Sequence, residues 1–490
     1  MVTRREFITR GIGIAAGSTL FGRLGVALVE DKPSTARASV PIRREKPNIL
    51  FVFADQMRNC NLACMGNPDV KTPNMDKLAS QGMLFTNSTS GFPLCSPYRA
   101  MLLTGRYPLS TGVITNNIKL PSSEVTIAKV LKAQGYKTGY VGKWHLDGNG
   151  AADPNDGRQG FDFWQSGAVK ELPKTKSDYK PDTQADVAIQ FMKEHAAEPF
   201  CLFLSWTPPH PPYIPPKRYE TLYDPKKLKL RENVQGNLRE ARDELSNSYA
   251  MITGLDDNIG KLIKALDDLD IAEDTIFCFS SDHGDMLWSH GRENKNLPWE
   301  ESINVPFIMR YPRAIKAGQK SDVLVNSVHV VPTLLGLANV EVPKVMEGED
   351  LSQIILGKGG PATGSREWRD KEPESAYILD VIPGPSGLTR GVSTWRGVRT
   401  KRHTYAKMDG KGWLLFDLEK DPYQMNNLID KPEAKELQAK MEAMLQEWLK
   451  KTGDKFEPID VWWERIGGTG KTGSAKTLGK KTTNPVNSEQ

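Results

Sequence analysis

Short apolar runs alternate along the chain with longer segments whose apolar residues recur at helical spacing. Most of the runs are aliphatic and aromatic, which is typical of strands buried on both faces of a sheet; they occupy residues 48–54, 136–142, 200–206, 275–281 and 305–310. The helical segments occupy residues 72–81, 126–134, 182–195, 238–269 and 330–337. This alternation predicts an α/β fold with a mostly parallel central sheet flanked by helices.

The texture of the sequence changes after about residue 370. Strand-like segments around turns replace the long alternation, and an amphipathic helix follows them; the segments lie at residues 377–380, 391–399, 412–417 and 432–451. The sequence therefore predicts an α/β domain at residues 39–370 and a smaller C-terminal α+β subdomain at residues 371–466. Residues 467–490 are rich in Gly, Lys, Thr and Ser, and a disordered basic tail is predicted there.

The first 38 residues have the pattern of an export signal rather than of a folded element. Arg4 and Arg5 stand in the setting of a twin-arginine motif, and a weakly apolar stretch interrupted by Arg23 follows them. Ala36 and Ala38 offer small residues at a cleavage site. We therefore expect the twin-arginine route to export the protein to the periplasm or the exterior of a bacterial cell. The remaining sequence has no apolar run long enough to span a bilayer, so no membrane partner is expected after cleavage.

The net charge of +5 resides at the two ends of the chain. Residues 1–38 carry six Lys or Arg and three Asp or Glu, and residues 467–490 carry four Lys and one Glu. The part between them is close to neutral. A basic footprint for nucleic acid is therefore not supported, and we expect no nucleic-acid partner.

Five cysteines are present, an odd and sparse set that does not suit a disulfide scaffold. Cys201 and Cys278 lie in apolar runs and are expected in the core. Cys60 and Cys64 could form a disulfide or clip a metal ion. Because no second cysteine pair exists to complete a zinc site, small buried residues are the favoured interpretation for both.

Cys95, the fifth cysteine, is expected at the N-terminus of a helix. The breaker-rich segment 91–93 precedes it, good helix formers follow at 100–103, and Pro97 suits a first helical turn. Free backbone N–H groups and the positive end of the helix dipole favour an anion there, and Arg99 follows four residues later. Taken alone, Cys95 is better interpreted as a buried structural residue that opens an ordinary helix.

Polar side chains follow three of the predicted strands. Asp55 and Gln56 come after the first strand, His210 follows the run at 200–206, and Asp282 and His283 follow the run at 275–281. Because ligands bind beyond the carboxyl ends of the strands in such sheets, we expect these residues at one site. If such a site held a divalent metal, these oxygens would suit Ca²⁺, and Mn²⁺ would accept the imidazole. Taken singly, either carboxylate could instead be a helix cap or a turn residue.

The spacing Cys95-x-Pro97-x-Arg99, followed by Thr104-Gly105-Arg106, resembles the signature of the type I sulfatases of the alkaline-phosphatase-like superfamily. Other segments resemble the family in its own order, between about residues 46 and 428: Asp55-Gln56, Gly142-Lys143-Trp144-His145, the prolines around His210, Ser281-Asp282-His283-Gly284-Asp285 and Asn294-Lys295-Asn296. Gln56 departs from the commoner pair of aspartates, although related members have Asp-Gln. The resemblance implies hydrolysis of sulfate monoesters, and in an exported bacterial protein it suggests a sulfated carbohydrate as substrate.

The resemblance also implies a modified nucleophile and a set of roles. In the family, dedicated formylglycine-generating machinery oxidises the cysteine at this position during synthesis, and the hydrated aldehyde attacks sulfur. The implied metal ligands are Asp55, Gln56, Asp282 and His283. The implied catalytic residues beside Cys95 are Arg99, which assists ionisation of the attacking hydroxyl, Lys143 and Lys295, which bind sulfate, His145, which takes a proton from the second hydroxyl, and His210 or Lys295, which protonates the leaving alcohol.

Two other functions stay open at this point. An enzyme of the same superfamily that hydrolyses phosphonate monoesters or phosphodiesters would use the same metal pairs. A non-catalytic, exported glycan-binding protein would keep an unmodified thiol at Cys95, but it would not need the whole set of matched polar residues. Trp288, where the family often has glycine, could stack on a sugar ring or merely pack.

Overall fold

The computed structural model describes residues 45–148, 157–165, 179–357, 372–383 and 391–466. The predicted export signal and the predicted basic tail lie outside these residues. All of the described residues fall within one compact unit.

Fourteen strands are found in the described part of the chain, numbered in chain order. They are β1 (Asn48–Asp55), β2 (Met83–Phe85), β3 (Ser88–Thr89), β4 (Lys137–Gly142), β5 (Phe163–Gln165), β6 (Phe200–Pro209), β7 (Thr275–Ser281), β8 (Phe307–Arg310), β9 (Gln319–Ser321), β10 (Val325–Asn326), β11 (Ala376–Asp380), β12 (Trp395–Arg399), β13 (His403–Met408) and β14 (Lys411–Asp417).

The α-helices in the same residues are α1 (Pro73–Ser80), α2 (Cys95–Thr104), α3 (Pro108–Thr111), α4 (Ile127–Ala133), α5 (Lys180–Glu194), α6 (Leu238–Asp268), α7 (Glu300–Ile303), α8 (Val330–Leu337), α9 (Ser352–Ile355), α10 (Lys435–Thr452) and α11 (Ile459–Arg465). Short 3₁₀ turns, among them Asn59–Asn61, Ala63–Met65 and Ser327–His329, join several elements.

The central sheet has eight strands in the order β5-β4-β6-β1-β7-β8-β2-β9. The first five are parallel to one another, β8 is antiparallel to both of its neighbours, and β9 is parallel to β2. The expected α/β fold with a mostly parallel sheet is therefore confirmed.

Helices cover both faces of this sheet, as the continuous apolar strands require. Alternate residues of β1 point to opposite faces: Phe51 packs in one core and Val52 in another. The first core also contains Leu102 of α2 and residues of α4 and α8, and the second contains Leu255 of α6 and residues of α1 and α5. β1, buried along its whole length, thus forms the centre of the molecule.

The C-terminal region forms a separate antiparallel sheet in the order β11-β12-β13-β14, packed with α10. The sequence missed β13, because its polar residues and half-buried ends lack a continuous apolar run. Tyr377 and Leu445 of this region share one apolar core with Phe92 and Met101 beside α2. The segment that carries Cys95 is therefore packed against both sheets.

The structure also bears on the cysteines and on the question of membrane-spanning helices. All five cysteines are free thiols, so Cys60 and Cys64 form no disulfide. Both are half-buried rather than fully buried, and Cys64 packs against the edge of a core. Within the described residues, none of the helices combines the length and the apolar character needed to cross a bilayer.

The ion pair between Arg396 and Asp454 anchors the C-terminal sheet, and both side chains are fully buried. Tyr377 Oη also donates to Asp454 Oδ2 at 2.6 Å. We expect Asp454→Ala to lower the free energy of unfolding by about 3–5 kcal/mol, because it leaves a buried guanidinium without its counter-charge. Urea unfolding followed by tryptophan fluorescence measures the loss. Asp243→Ala, at an exposed position of α6, is the control, and an equal effect of both variants would contradict this account.

Candidate active site

Four parallel strands deliver the predicted site residues to one edge of the central sheet. Asp55 ends β1, and Asp282 follows β7, which pairs with β1 so that Ala54 faces Ser281. His210 follows β6, whose Pro209 pairs with Asp55, and Lys143 follows β4 and donates its backbone N–H to Ser205 of β6. The expectation of one shared site at the strand ends is therefore met by the chain's own topology.

Cys95 is the first residue of α2 and is almost fully buried against these strand ends. Its Sγ lies 3.3 Å from His283 Nε2, 3.5 Å from Lys143 Nζ and 3.8 Å from Asp55 Oδ1. The helix ends at Gly105, whose positive φ of 62° lets its N–H reach Met101 O at 2.8 Å. The sequence-predicted helix start thus places position 95 among a cation, a carboxylate and an imidazole.

Arg99 lies beneath the site and joins its two carboxylates. One terminal nitrogen lies 3.1 Å from Asp55 Oδ2 and 3.1 Å from Asp282 Oδ2, and the other donates to Ser205 Oγ and to Lys143 O, both at 2.7 Å. The guanidinium also stacks 4.9 Å from the centre of the Phe53 ring. With these partners, Arg99 fixes the orientation of both carboxylates, a bridging role that sequence spacing did not reveal.

The buried cluster has the donor set of a divalent metal site. Ligand atoms of Asp55, Cys95, Asp282 and His283 all lie within 4.8 Å of one another. His283 Nδ1 donates to Gly284 O at 3.0 Å, so the lone pair of Nε2 faces the cluster. Burial raises the pKa of the Asp282 carboxyl, and the neighbouring Asp55 adds to that effect. A divalent cation fits here because it would relieve the repulsion between two buried carboxylates.

Gln56, a predicted metal ligand, forms hydrogen bonds with three charged residues. Its backbone is left-handed, with φ of 69°, and its N–H donates to Asp282 Oδ1 at 3.0 Å. The side-chain Nε2 donates to Asp285 Oδ2 at 2.8 Å, and Lys295 Nζ donates to Oε1. Tyr213 Oη holds the same Asp285 oxygen at 2.5 Å. Asp285 and Tyr213 thereby fix the amide, and sequence reasoning missed both, although Asp285 stands in the same motif as Asp282.

Two lysines and a histidine complete the charged face of the site. Lys143 and Lys295 are both more than nine-tenths buried, and Lys143 Nζ forms an ion pair with Asp55. Burial alone would raise the pKa of Asp55, but the positive charges of Lys143, Lys295 and Arg99 bring it well below its ordinary value. Asp55 is therefore a permanent carboxylate in this setting.

His210 is neutral at ordinary pH. Burial and then the Lys295 ammonium lower the pKa of its imidazole to about 3. Nδ1 donates to Pro211 O at 2.6 Å, which leaves a lone pair on Nε2. His210 therefore presents a proton acceptor to the site, and it becomes a donor only after it gains a proton.

His145 is the predicted residue for which the structure shows no link to the others. Its carbonyl accepts from Ser96 Oγ at 2.6 Å, and its backbone is left-handed, with φ of 61°. Nδ1 is buried and has no hydrogen-bond partner within the described residues. The backbone of His145 thus lies beside the start of α2, and the role of its ring as a base stays a prediction. Trp288 is half-buried, and its Nε1 donates to Glu244 at 2.8 Å.

The C-terminal sheet holds the loop that carries Lys295. Asn296, with φ of 74°, donates from Nδ2 to Asp380 Oδ2 at 2.8 Å and accepts from Trp395 Nε1 at 2.9 Å. Its backbone N–H reaches Pro93 O at 3.2 Å, two residues before Cys95. This clamp, which sequence reasoning missed, links the sheet, the Lys295 loop and the start of α2.

Asp285 is expected to tune cation binding through Gln56. We expect Asp285→Ala to weaken the affinity for Ca²⁺ about 10- to 100-fold, because the Gln56 amide loses the acceptor that orients it. Isothermal titration calorimetry on the metal-stripped protein measures this change. Asp186→Ala removes a carboxylate that is 68% exposed and serves as the control. Equal Ca²⁺ affinity in the two variants would show that Gln56 is not oriented toward the ion.

The chain is similar to sulfatases along most of its length. The sulfatase family profile matches residues 47–340, and the profile described as N-sulphoglucosamine sulphohydrolase, C-terminal, matches residues 289–451. An ulvan-active sulfatase of Formosa agariphila is 38% identical over 442 residues, covering 86% of this chain and 84% of that protein. An endo-4-O-sulfatase of Bacteroides thetaiotaomicron is 29% identical, covering 86% and 96%.

Solved structures agree with these sequence relationships. A sulfatase structure from Bacteroides fragilis superposes with a TM-score of 0.74 at 31% identity, covering 84% of this chain and 97% of that one. The match extends over both the central sheet and the C-terminal region. The chain belongs to the sulfatase family and is a sulfuric ester hydrolase.

Proposed function

We propose that the protein hydrolyses sulfate monoesters on a carbohydrate, with an aldehyde formed from Cys95 and a bound divalent cation, Ca²⁺ in the first instance. The observation that carries the proposal is the position of Cys95 Sγ, 3.3 Å from His283 Nε2 and 3.5 Å from Lys143 Nζ at a helix N-terminus. A nucleophile at that point needs neighbouring groups that stabilise its charge, and Lys143 and His283 can do so.

The oxidised and hydrated side chain at position 95 would supply the nucleophilic hydroxyl, and the cation would supply further positive charge at the cluster of Asp55, Asp282 and His283. The chain's own residues do the rest. Lys143 and Lys295 are held in a nearly dry setting, where their ammonium groups attract the sulfuryl oxygens strongly. Arg99 keeps both carboxylates fixed and so preserves the geometry during the reaction.

His210 is suited to transfer a proton to the leaving alcohol. The cations that bind sulfate also keep this imidazole neutral, since Lys295 and Lys143 both lower its pKa. Burial is the larger cause of the low pKa, but arrival of an anionic sulfate would offset these charges and favour proton uptake by Nε2. A proton is thus present at the leaving oxygen when it is needed.

A carbohydrate substrate is supported by the names of two relatives, an ulvan-active sulfatase and an endo-4-O-sulfatase. Export through the twin-arginine route, proposed from Arg4 and Arg5, would place the enzyme where polysaccharides are found. The proposal also requires formylglycine-generating machinery in the producing cell.

Mass spectrometry of the peptide that contains Cys95 tests the modification. Conversion of the thiol to the aldehyde lowers the mass of that peptide by roughly 18 Da, on a route separate from ordinary thiol oxidation. We expect this shift in protein from the native host, whereas the peptide with Cys201 keeps its mass. A fully unmodified Cys95 in an active preparation would overturn the proposed nucleophile.

Parallel assays on the same preparation test the reaction class. We expect turnover of sulfated oligosaccharides and of 4-nitrophenyl sulfate, with much slower turnover of phosphonate monoesters and phosphodiesters. Faster phosphodiester turnover would favour a phosphonate monoester or phosphodiester hydrolase of the same superfamily. Absence of all turnover in aldehyde-containing protein would favour a glycan-binding role.

Replacement of His210 tests its role as proton donor. We expect His210→Ala to lower kcat about 10²- to 10⁴-fold on an alkyl sulfate, because an alkoxide leaves poorly without a proton. On 4-nitrophenyl sulfate the loss should be much smaller, since nitrophenolate leaves unaided. His195→Ala, at the end of α5, is the control and should affect neither substrate. Equal losses of His210→Ala on both substrates would contradict proton donation.

A further inference from the structure

A second polar cavity, of about 480 Å³, lies at the same edge of the central sheet as the active site. Arg58 and Asn59 line it from the turn that follows β1, and Asn87 lines it from the segment that follows β2. β2 runs in the same direction as β1, because β1 is parallel to β7 and both β7 and β2 are antiparallel to β8. Glu301 of α7 and Lys401 of the C-terminal sheet close the other sides.

Arg58 is the unusual member of this cavity. Its side chain is only 3% exposed, and Nε and one terminal nitrogen are buried without a hydrogen-bond partner. Its charge helps to lower the pKa of Glu301, but no carboxylate among the described residues lies within ion-pair distance of it. The buried arginines Arg99, Arg396 and Arg399 each face a carboxylate. Because burying an unpaired guanidinium is costly, an anionic ligand is the partner that would relieve the cost.

The walls around Arg58 offer acceptors as well as donors. Glu301 Oε2 and Asn59 Oδ1 are likewise buried without a hydrogen-bond partner in the described part of the chain. The other Glu301 oxygen receives Arg231 Nε at 3.1 Å, so the carboxylate is held in place. A ligand with one anionic group and several hydroxyls matches this combination of free donor and free acceptors.

Arg58 of this cavity lies close to residues of the catalytic centre, both along the chain and in packing. Arg58 follows Gln56 by two residues, and a Cβ added to Gly284 would lie 3.4 Å from Arg58 Cγ. Gly284 itself stands between His283 and Asp285. The cavity and the site at position 95 therefore lie on either side of the residues that join Gln56 to Arg58.

We propose that this cavity binds an acidic sugar unit, whose carboxylate or sulfate pairs with Arg58 and whose hydroxyls bond to Asn59 and Glu301. The assignment of that unit to the polymer whose ester is cleaved rests on the proposed function. The substrate class is thereby narrowed to polysaccharides with a second anionic group near the cleaved sulfate.

Isothermal titration calorimetry of the full-length protein tests the site, with glucuronate, glucose 6-sulfate and glucose as probes. We expect glucuronate, glucose 6-sulfate or both to bind more tightly than glucose, and Arg58→Met to lose about tenfold or more of that acidic-probe affinity. Arg239→Met, at an exposed position of α6, is the matched control and should bind as the unchanged protein does. Loss confined to glucuronate identifies a carboxylate as the bound anion, and loss confined to glucose 6-sulfate identifies a sulfate.

Two results would overturn the proposal: equal affinity of Arg58→Met and Arg239→Met for both acidic probes, or equal binding of glucose and the acidic probes. Because Arg58 has no ion pair within the described residues, Arg58→Met should keep or raise the Tm. If that variant does not fold, Asn59→Ala decides, because it removes an acceptor for the sugar hydroxyls, and unchanged affinity there would overturn the proposal. Glucuronate carries no sulfate ester, so its binding survives even if the proposed catalytic function fails.

Discussion

Two carboxylates buried side by side are the constraint on which the site depends. Asp55 and Asp282 are completely buried because they follow adjacent parallel strands in the middle of the sheet. Their desolvation costs several kcal/mol for each ion unless opposite charge is supplied close by. Arg99 bridges the pair, Lys143 binds Asp55, and the donor cluster at Cys95 suits a divalent cation. The charges proposed to act on sulfate are therefore also those that offset the cost of burying the two carboxylates.

The second requirement is rigidity at the two loops that carry reactive groups. Asn296 and Gln56 both have left-handed backbones, which cost about 1–3 kcal/mol each and persist only when neighbours fix them. Asp285 fixes the side chain of Gln56, while Asp380 and Trp395 fix Asn296. The C-terminal sheet therefore helps to position the active-site residues, because it holds the loop of Lys295 against the segment before Cys95.

Sequence patterns predicted the layers and the location of the site because both follow from local rules. Continuous apolar runs identified the central strands, and polar residues at their ends identified Asp55, His210 and Asp282. The bridge made by Arg99, the support of Gln56 by Tyr213 and the clamp at Asn296 join residues far apart in the chain. No spacing rule encodes them, and β13 was missed for a related reason, since its pairing with β12 and β14 rather than an apolar run defines it.

The balance of charge at the site bears on the proposed coupling of substrate binding to proton uptake. Three cations, Arg99, Lys143 and Lys295, face two carboxylates, so the protein groups alone leave positive charge that attracts an anion. Burial and this excess of charge together lower the pKa of His210. In the proposed mechanism, sulfate in the site would offset the charges of Lys295 and Lys143 and so raise that pKa. The enzyme would then hold a protonated acid only in the loaded site.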